Sequence, residues 1–147
     1  MILDTSALLA ILLGEPEAAD FASAIECAEV VRMSVASYLE AAIYVDRNCD
    51  EVRRAIFDTF LREFVIQLEP VTVEQAKIAR QACQLFGKGR HAAGLNYGDC
   101  FTYALVKTAN EPLLFKGRDF DKTDVVATVQ PSQANTASPP RFPHPHN

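Results

Sequence analysis

Apolar residues along the chain follow two periodicities, and each predicts a different kind of element. Short runs rich in aliphatic residues are typical of buried β-strands. Segments that repeat apolar residues every three or four positions are typical of helices with one buried face. The short runs lie at 2–3, 30–33, 65–68 and 112–115, with an edge strand expected at 125–126. The helical segments lie at 7–13, 17–28, 72–86 and 97–107, and two more begin after Ser34 and Asp50.

The order of these elements predicts the fold class. Strands that alternate with helices build a parallel sheet with helices on both of its faces. We therefore expect an α/β domain in three layers, α/β/α, around a central and mostly parallel sheet. In the two helices that begin after Ser34 and Asp50, the spacing of apolar residues also predicts which face is buried. The helix after Ser34 would bury Val35, Leu39, Ala42 and Ile43. The helix after Asp50 would bury Val52, Ile56, Phe60 and Phe64.

The composition changes near the end of the chain. Residues 131–147 hold five prolines and almost no apolar side chains, which is typical of a disordered segment. We therefore interpret residues 1–129 as one folded domain and residues 130–147 as a disordered, proline-rich C-terminal tail. His144 and His146 lie in this tail, and we interpret them as solvated residues rather than metal ligands.

Size and composition exclude several classes of protein. A chain of 147 residues with 49% hydrophobic residues suits one globular domain. No apolar run reaches the roughly 18 residues of a membrane span, and the first residues lack the positive charge of a signal peptide. We expect a cytoplasmic protein with no membrane partner. Its cysteines form no CxxC pair, which favours reduced thiols over disulfides or zinc at Cys27, Cys49, Cys83 and Cys100.

The distribution of charge is more informative than its total. The formal net charge of −5 argues against broad, nonspecific adhesion to nucleic acid. Residues 1–85 carry 7 Lys/Arg against 14 Asp/Glu, whereas residues 86–122 carry 6 against 4. This locally basic stretch includes a glycine-rich loop at 87–95, which we expect to be flexible. Cations placed beside acids in this way suggest a site that holds a polyanion near a metal ion.

Four carboxylates are candidates for one such site. Asp4 follows the first strand and Asp119 comes soon after the last one, while Glu40 and Asp99 lie near the start of two helices. Ligands of open α/β sheets gather beyond the carboxyl ends of the strands, so these side chains are expected to converge there. Like charges that converge raise one another's pKa unless a cation compensates them. An all-oxygen set suits a hard ion, Mg²⁺ or Mn²⁺, which activates water for phosphodiester hydrolysis.

Each of these acids also has a structural interpretation. Asp4 and Asp99 stand where a carboxylate caps a helix, and Asp99 follows Asn96 by three residues. Glu40 follows Ser37 at the same capping-box spacing. Asp119 suits a plain turn. Taken singly, the four positions leave the structural and functional interpretations open.

Taken together, four segments identify a family. In chain order they read MILDTSA at 1–7, LEA at 39–41, LNYGDC at 95–100 and LFKGRDF at 114–120. This ordered set closely resembles the PIN-domain toxins of VapC type from bacterial toxin–antitoxin pairs, over about residues 1–128. The resemblance implies a PIN-like fold and an Mg²⁺- or Mn²⁺-dependent endoribonuclease acting on structured RNA such as tRNA or rRNA. It also implies a cognate VapB-type antitoxin and a homodimer.

The resemblance further assigns roles to single residues. Asp4, Glu40 and Asp99 match the first three acids of the family, with Asp4 and Asp99 as direct metal ligands. Gly117 stands where many relatives have an acid, so Asp119 acts alone or with Asp121 or Asp124. Hydrolysis would leave a 5′-phosphate and a 3′-hydroxyl. Contacts to RNA phosphates are expected from polar and basic residues near the acids, namely Thr5, Ser6, Lys88, Arg90, Lys116 and Arg118. Thr5 and Ser6 also suit hydrogen bonds to a ligand carboxylate, and the basic residues also fit a solvated loop with scattered charge.

Two other classes of α/β protein with clustered acids fit the sequence less well. A phosphoryl-accepting receiver domain needs a nucleophilic aspartate at the end of a middle strand, but that strand here ends in Glu69-Pro70. A haloacid-type phosphatase needs Asp-x-Asp after its first strand, whereas this chain has Asp4-Thr5-Ser6. The remaining alternative is a PIN fold that binds RNA or a partner as a regulator without cleaving RNA.

Overall fold

A four-stranded parallel sheet organises the computed structural model, which describes residues 1–128. The strands lie in the order β3-β2-β1-β4. In chain order they are β1 (Ile2–Leu3), β2 (Arg32–Ser34), β3 (Gln67–Glu69) and β4 (Leu113–Leu114). The sheet has the parallel arrangement that the alternating sequence pattern predicts. The predicted tail at 130–147 lies outside the described residues.

Six α-helices connect and cover the strands. They are α1 (Thr5–Leu13), α2 (Ala18–Cys27), α3 (Val35–Asn48), α4 (Glu51–Glu63), α5 (Val73–Phe86) and α6 (Tyr97–Ala109), and a 3₁₀ turn follows at Phe120–Lys122. Several begin at local capping signals: the side chains of Asp50 and Thr72 accept hydrogen bonds from the backbone of Arg53 and Gln75. None of the helices within residues 1–128 is long and apolar enough to cross a membrane.

The sheet separates two hydrophobic cores because successive strand residues point to opposite faces. Leu3 and Leu114 pack with α1, α2, α3 and α4. Ile2 and Leu113 pack on the other face with α5 and α6. This arrangement confirms the three-layer α/β/α architecture. All four cysteines are free thiols, as the sequence predicts.

The predicted core faces of α3 and α4 are only partly correct: Ala42, Phe60 and Phe64 pack against the core, whereas the other predicted residues are exposed. Helix α3 instead buries Ser37, Ala41 and Val45, and Leu39 is 56% exposed. Helix α4 buries Phe57 and leaves Val52 67% exposed. On both helices, the apolar stripe read from the sequence lies partly on the surface. Apolar spacing alone does not distinguish a face that contacts the protein core from one that is left uncovered.

The strand boundaries also differ from the predictions by one or two residues. The run at 65–68 becomes β3 at Gln67–Glu69, because Val65 adopts a positive φ of 50° in the turn that precedes the strand. Residues 125–126 form no strand, and the contact there is an isolated bridge between Leu113 and Ala127. The basic loop at 87–95 is closed at its base by the hydrogen bond from Leu95 N to the Phe86 carbonyl, 2.9 Å long.

Candidate active site

Four carboxylates line one pocket at the carboxyl end of the sheet. The pocket has a volume of about 230 Å³, and its lining includes Asp4, Glu40, Asp99 and Asp119. Asp4 directly follows β1, whereas Glu40 and Asp99 are held by α3 and α6. Asp119 lies in the loop after β4. Folding thus brings together the four acids that the sequence singles out.

Asp4 is the most deeply buried of the four and is held by three hydrogen bonds. Its Oδ2 atom accepts hydrogen bonds from Ser6 N (3.0 Å) and Ser6 Oγ (2.6 Å). Its Oδ1 atom accepts a hydrogen bond from Thr102 Oγ1 (2.7 Å). The side chain is 4% exposed and also caps α1. The capping interpretation of Asp4 is therefore correct, and the same side chain also lines the pocket.

Glu40 reaches the pocket from the second turn of α3. Ser34 caps this helix through its hydroxyl, and Ser37 Oγ instead contacts Thr102 Oγ1 at 3.0 Å. The capping-box interpretation of Glu40 is therefore wrong. Its carboxylate lies against the backbone of Gly98 in α6. The pKa of Glu40 is raised, first by desolvation and then by the charge of Asp4.

Asp99 combines a capping interaction with a raised pKa that arises first from burial. Its Oδ2 atom accepts a hydrogen bond from Asn96 N (2.8 Å), and Asp99 N donates to Asn96 Oδ1 (2.9 Å), which completes a capping box. Desolvation raises the pKa of Asp99 to about 6, and the charges of Asp4, Glu40 and Asp119 add to this effect. The pocket therefore holds four neighbouring carboxylates, and one cationic side chain, that of Lys116, also lines it.

Asp119 is the only candidate for the fourth acid that lines the pocket in the described part of the chain. It is exposed and makes no capping hydrogen bond to the 3₁₀ turn that follows it. Asp121 is not among the lining residues. Asp124 accepts hydrogen bonds from Tyr103 Oη (2.7 Å) and Lys107 Nζ (2.8 Å), and Lys107 lowers its pKa. Asp124 is thus engaged elsewhere.

The candidate phosphate contacts fall into two groups. Thr5, Ser6 and Lys116 line the acid pocket, although each already makes a contact within the protein. Thr5 Oγ1 donates to the Ser37 carbonyl at 3.0 Å. Lys116 forms ion pairs with Glu15 and with Glu17, the latter at 3.2 Å. The others lie on the exposed surface outside this lining, at Lys88, Arg90 and Arg118.

The chemistry of the pocket fits a hard divalent cation. All four acidic side chains present oxygen atoms, which Mg²⁺ and Mn²⁺ prefer. Burial raises the pKa of Asp99 and the neighbouring acids add to this effect, so a bound cation would favour its ionised form. As oriented, no three Asp, Glu, His or Cys side chains within residues 1–128 form a ready-made metal site. Rotation of carboxylates such as Asp99, which is turned toward Asn96 N, would be needed to surround an ion.

Two residues that support the acids were missed from the sequence. Thr102 is buried on α6, where it contacts Asp4 and Ser37. A threonine surrounded by apolar residues on a buried helix face was an available signal, because a buried hydroxyl requires a partner. Gly98 provides the space in which Glu40 lies. Its significance depends on a contact between distant elements, and no local pattern predicts it.

Known proteins with similar sequences and structures identify the family. The sequence model of the PIN domain matches residues 1–126. Ribonuclease VapC30 of Mycobacterium tuberculosis is 46% identical over 131 residues, covering 89% of this chain and 100% of the relative. Ribonuclease VapC of Mycolicibacterium smegmatis is 49% identical over 127 residues, covering 86% and 98%.

Two solved structures share the fold at 16% sequence identity. VapC20 of Mycobacterium tuberculosis, described as a sarcin-ricin loop cleaving toxin, aligns with a TM-score of 0.69 over 85% of this chain and 95% of its own. A toxin–antitoxin complex from Klebsiella pneumoniae aligns with a TM-score of 0.67 over 86% and 95%. With the domain match and the high identity to curated relatives, these findings establish that the chain belongs to the PIN-domain family, among its VapC ribonucleases.

Proposed function

We propose that this chain is a cytoplasmic endoribonuclease toxin that hydrolyses phosphodiester bonds in structured RNA such as tRNA or rRNA. The observation that carries the proposal is the pocket lined by Asp4, Glu40, Asp99 and Asp119. Like charges are costly to hold together in a partly buried pocket. Such an arrangement serves a reaction that needs a bound cation and an activated water. The VapC relatives are named as ribonucleases, and this supports RNA as the substrate.

Ribonucleases of this family generally depend on a divalent metal ion. We assign Asp4 and Asp99 as direct ligands of Mg²⁺ or Mn²⁺, Glu40 as a ligand through water, and Asp119 as the residue that completes the shell. When bound, such an ion lowers the pKa of water and offsets the charge that develops on the attacked phosphate. The lining of the pocket and the raised pKa of Asp99 support this assignment.

The residues of the chain then position the reactants. Glu40 orients the attacking water from the α3 side of the pocket. The water oxygen bonds to phosphorus as the bond from phosphorus to the 3′ oxygen breaks. The water loses a proton and the departing 3′ oxygen gains one, which leaves a 5′-phosphate and a 3′-hydroxyl. We assign Lys88 and Arg90 to RNA phosphates on one side, and Lys116 and Arg118 on the other. Thr5 and Ser6 hold the acids or contact a phosphate directly.

We propose that a cognate VapB-type antitoxin restrains this activity by covering the pocket. An excess of carboxylates at the site favours a basic segment in the inhibitor. A second feature supports a protein partner. An apolar groove of about 550 Å³ runs along α4, lined by Val52, Ile56, Phe60 and Phe64 and flanked by Glu51 and Glu63. Its apolar floor and acidic rim suit an apolar antitoxin segment with basic flanks.

We further propose that two copies of the chain associate through a second uncovered surface, the α3–α6 face, which is defined by Leu39, Ile43, Tyr97 and Phe101. Tyr97 is 83% exposed and stands edge-on to Phe101, with ring centroids 4.9 Å apart. Apolar grooves of about 520 and 570 Å³ flank this aromatic ridge. In a two-fold dimer the same surface of both copies meets, so the ridge of one copy would face the grooves of the other. This geometry supports a homodimer.

The decisive test is cleavage of purified tRNA and rRNA with Mg²⁺ or Mn²⁺, comparing the native chain with the Asp4→Asn variant. We expect the native chain to cleave, EDTA to stop cleavage, and Asp4→Asn to abolish it while the fold is retained. Asp58→Asn, which alters an exposed acid of α4, is the matched control and should cleave normally. A native chain that binds these RNAs without cutting them would favour the alternative of a non-cleaving regulator.

A further inference from the structure

Gly98, in the first turn of α6, occupies a position where any side chain would collide with Glu40. A Cβ atom added to Gly98 would lie 2.8 Å from Cδ of Glu40 and closer still to Oε2. Real Cβ atoms essentially never approach another heavy atom within 3.0 Å. The carboxylate of Glu40 therefore lies in the space that the missing side chain leaves.

The usual reasons for a glycine do not apply at this position. Gly98 does not have a positive φ, so its backbone conformation is open to every residue. Within a helix, glycine is less favourable than alanine because it loses more conformational entropy on folding. The three atoms nearest to the added Cβ all belong to Glu40. The absence of a side chain at position 98 therefore makes room first of all for the Glu40 carboxylate.

We propose that Gly98 is a positioning residue that holds the Glu40 carboxylate between α3 and α6, beside the pocket that Asp4 and Asp99 also line. This inference rests on the proposed ribonuclease function. A methyl group at position 98 would displace Glu40 rather than the helix, because a glutamate side chain is flexible. The first turn of α6 is also anchored by the Asn96–Asp99 capping box. The fold should therefore survive the change, and the carboxylate should move.

The test is a double-mutant cycle of Gly98→Ala and Glu40→Ala, assayed for RNA cleavage. Alone, Gly98→Ala should lower kcat by about tenfold to a hundredfold, as is typical when a supporting contact of a metal site is lost. KM for RNA should stay within about twofold, because the change acts on the chemical step and not on RNA binding. In the Glu40→Ala background, Gly98→Ala should have no further effect, since the group it displaces is already absent. The melting temperature of the Gly98→Ala chain should equal or exceed that of the native chain, because alanine is more favourable than glycine within a helix.

A crystal structure of the Gly98→Ala chain supplies a measurement that does not depend on activity. A displaced Glu40 carboxylate in an otherwise unchanged fold supports the proposal, and an unmoved carboxylate overturns it. An unfolded Gly98→Ala chain, or equal losses of kcat in both backgrounds, would also overturn it. If the native chain does not cleave RNA, the proposed function fails, but the position of Glu40 in this crystal structure still tests the role of Gly98.

Discussion

The hydroxyl of Thr102 donates a hydrogen bond of 2.7 Å to Oδ1 of Asp4, and both side chains are buried. The same hydroxyl lies 3.0 Å from Ser37 Oγ. Helix α6 and helix α3 thus meet at the carboxylate that follows β1. Removing one member of such a buried set leaves the others without partners. Thr102 therefore links the packing of the helices to the orientation of Asp4.

Replacing this hydroxyl should impair both stability and activity. Thr102→Val keeps the shape of the side chain but leaves Asp4 Oδ1 and Ser37 Oγ unsatisfied. We expect a loss of about 1–3 kcal/mol in the free energy of unfolding and a fall of about tenfold to a hundredfold in cleavage rate. Urea unfolding and single-turnover cleavage measure the two effects. Thr102→Ser, which retains the hydroxyl, is the control and should stay close to the native chain. A native cleavage rate in Thr102→Val would show that Asp4 does not need this contact.

The pKa of Asp99 predicts how the stability of the metal-free chain depends on pH. Folding raises this pKa from its ordinary value of 3.8 to about 6. A raised pKa means that the folded state binds the proton of Asp99 more tightly than the unfolded state does. Protonation of Asp99 therefore stabilises the fold at low pH, and this contribution is lost as the pH rises through about 6. In EDTA, the native chain should lose more stability between pH 4 and pH 7 than an Asp99→Asn chain.

Asparagine is the suitable replacement because its side-chain oxygen can still accept the hydrogen bond from Asn96 N. The difference in free energy of unfolding between the two chains, measured with urea at both pH values, isolates the contribution of Asp99. Adding Mn²⁺ at pH 7 should then stabilise the native chain more than the variant, since a ligand that binds only the folded state shifts unfolding. Identical pH profiles would refute a raised pKa of Asp99 in the folded chain.

What the sequence predicts well in this protein is local. Asn96 and Asp99 form the capping box that their spacing indicates, and Asp50 caps the helix predicted to begin after it, because a cap involves residues only about three positions apart. The placement of Asp4 at a strand end follows in the same way. Which face of α3 or α4 is buried depends instead on the elements that pack against it. The apolar spacing of α3 therefore predicts a buried Leu39, which is in fact exposed.

The supporting residues of the site were beyond the reach of local patterns for a related reason. Thr102 contacts Asp4 across 98 positions of the sequence, and Gly98 contacts Glu40 across two helices. Such contacts follow from the packing of α3 against α6, which no periodicity specifies. The motif that contains Gly98 was visible in the sequence. Its physical meaning appears only when the neighbouring helix is in place.

The exposed apolar residues of α3 lead to a prediction about assembly. If the α3–α6 face joins two copies, a charge in its centre should separate them, because burying an unpaired carboxylate is costly. Ile43→Glu should therefore reduce the mass measured by sedimentation equilibrium to that of one chain. Val52→Glu introduces the same charge at an exposed position of α4 and should leave the dimer intact. Dimers that persist in Ile43→Glu would place the interface elsewhere.

The basic residues of the 87–95 loop lead to a prediction about RNA binding. Each phosphate contact that a cation makes adds a slope of about −0.7 to −0.9 to the dependence of log K on log salt concentration. Reversing the charge at both Lys88 and Arg90 should weaken RNA binding and flatten this slope by about one to two units. The measurement is fluorescence anisotropy in an Asp4→Asn background, so that the RNA stays intact. Reversal of Arg47 and Arg54, which are exposed on α3 and α4, changes the net charge equally and should alter the slope much less. Equal effects of the two double variants would mean that RNA responds to overall charge and that the loop makes no specific phosphate contacts.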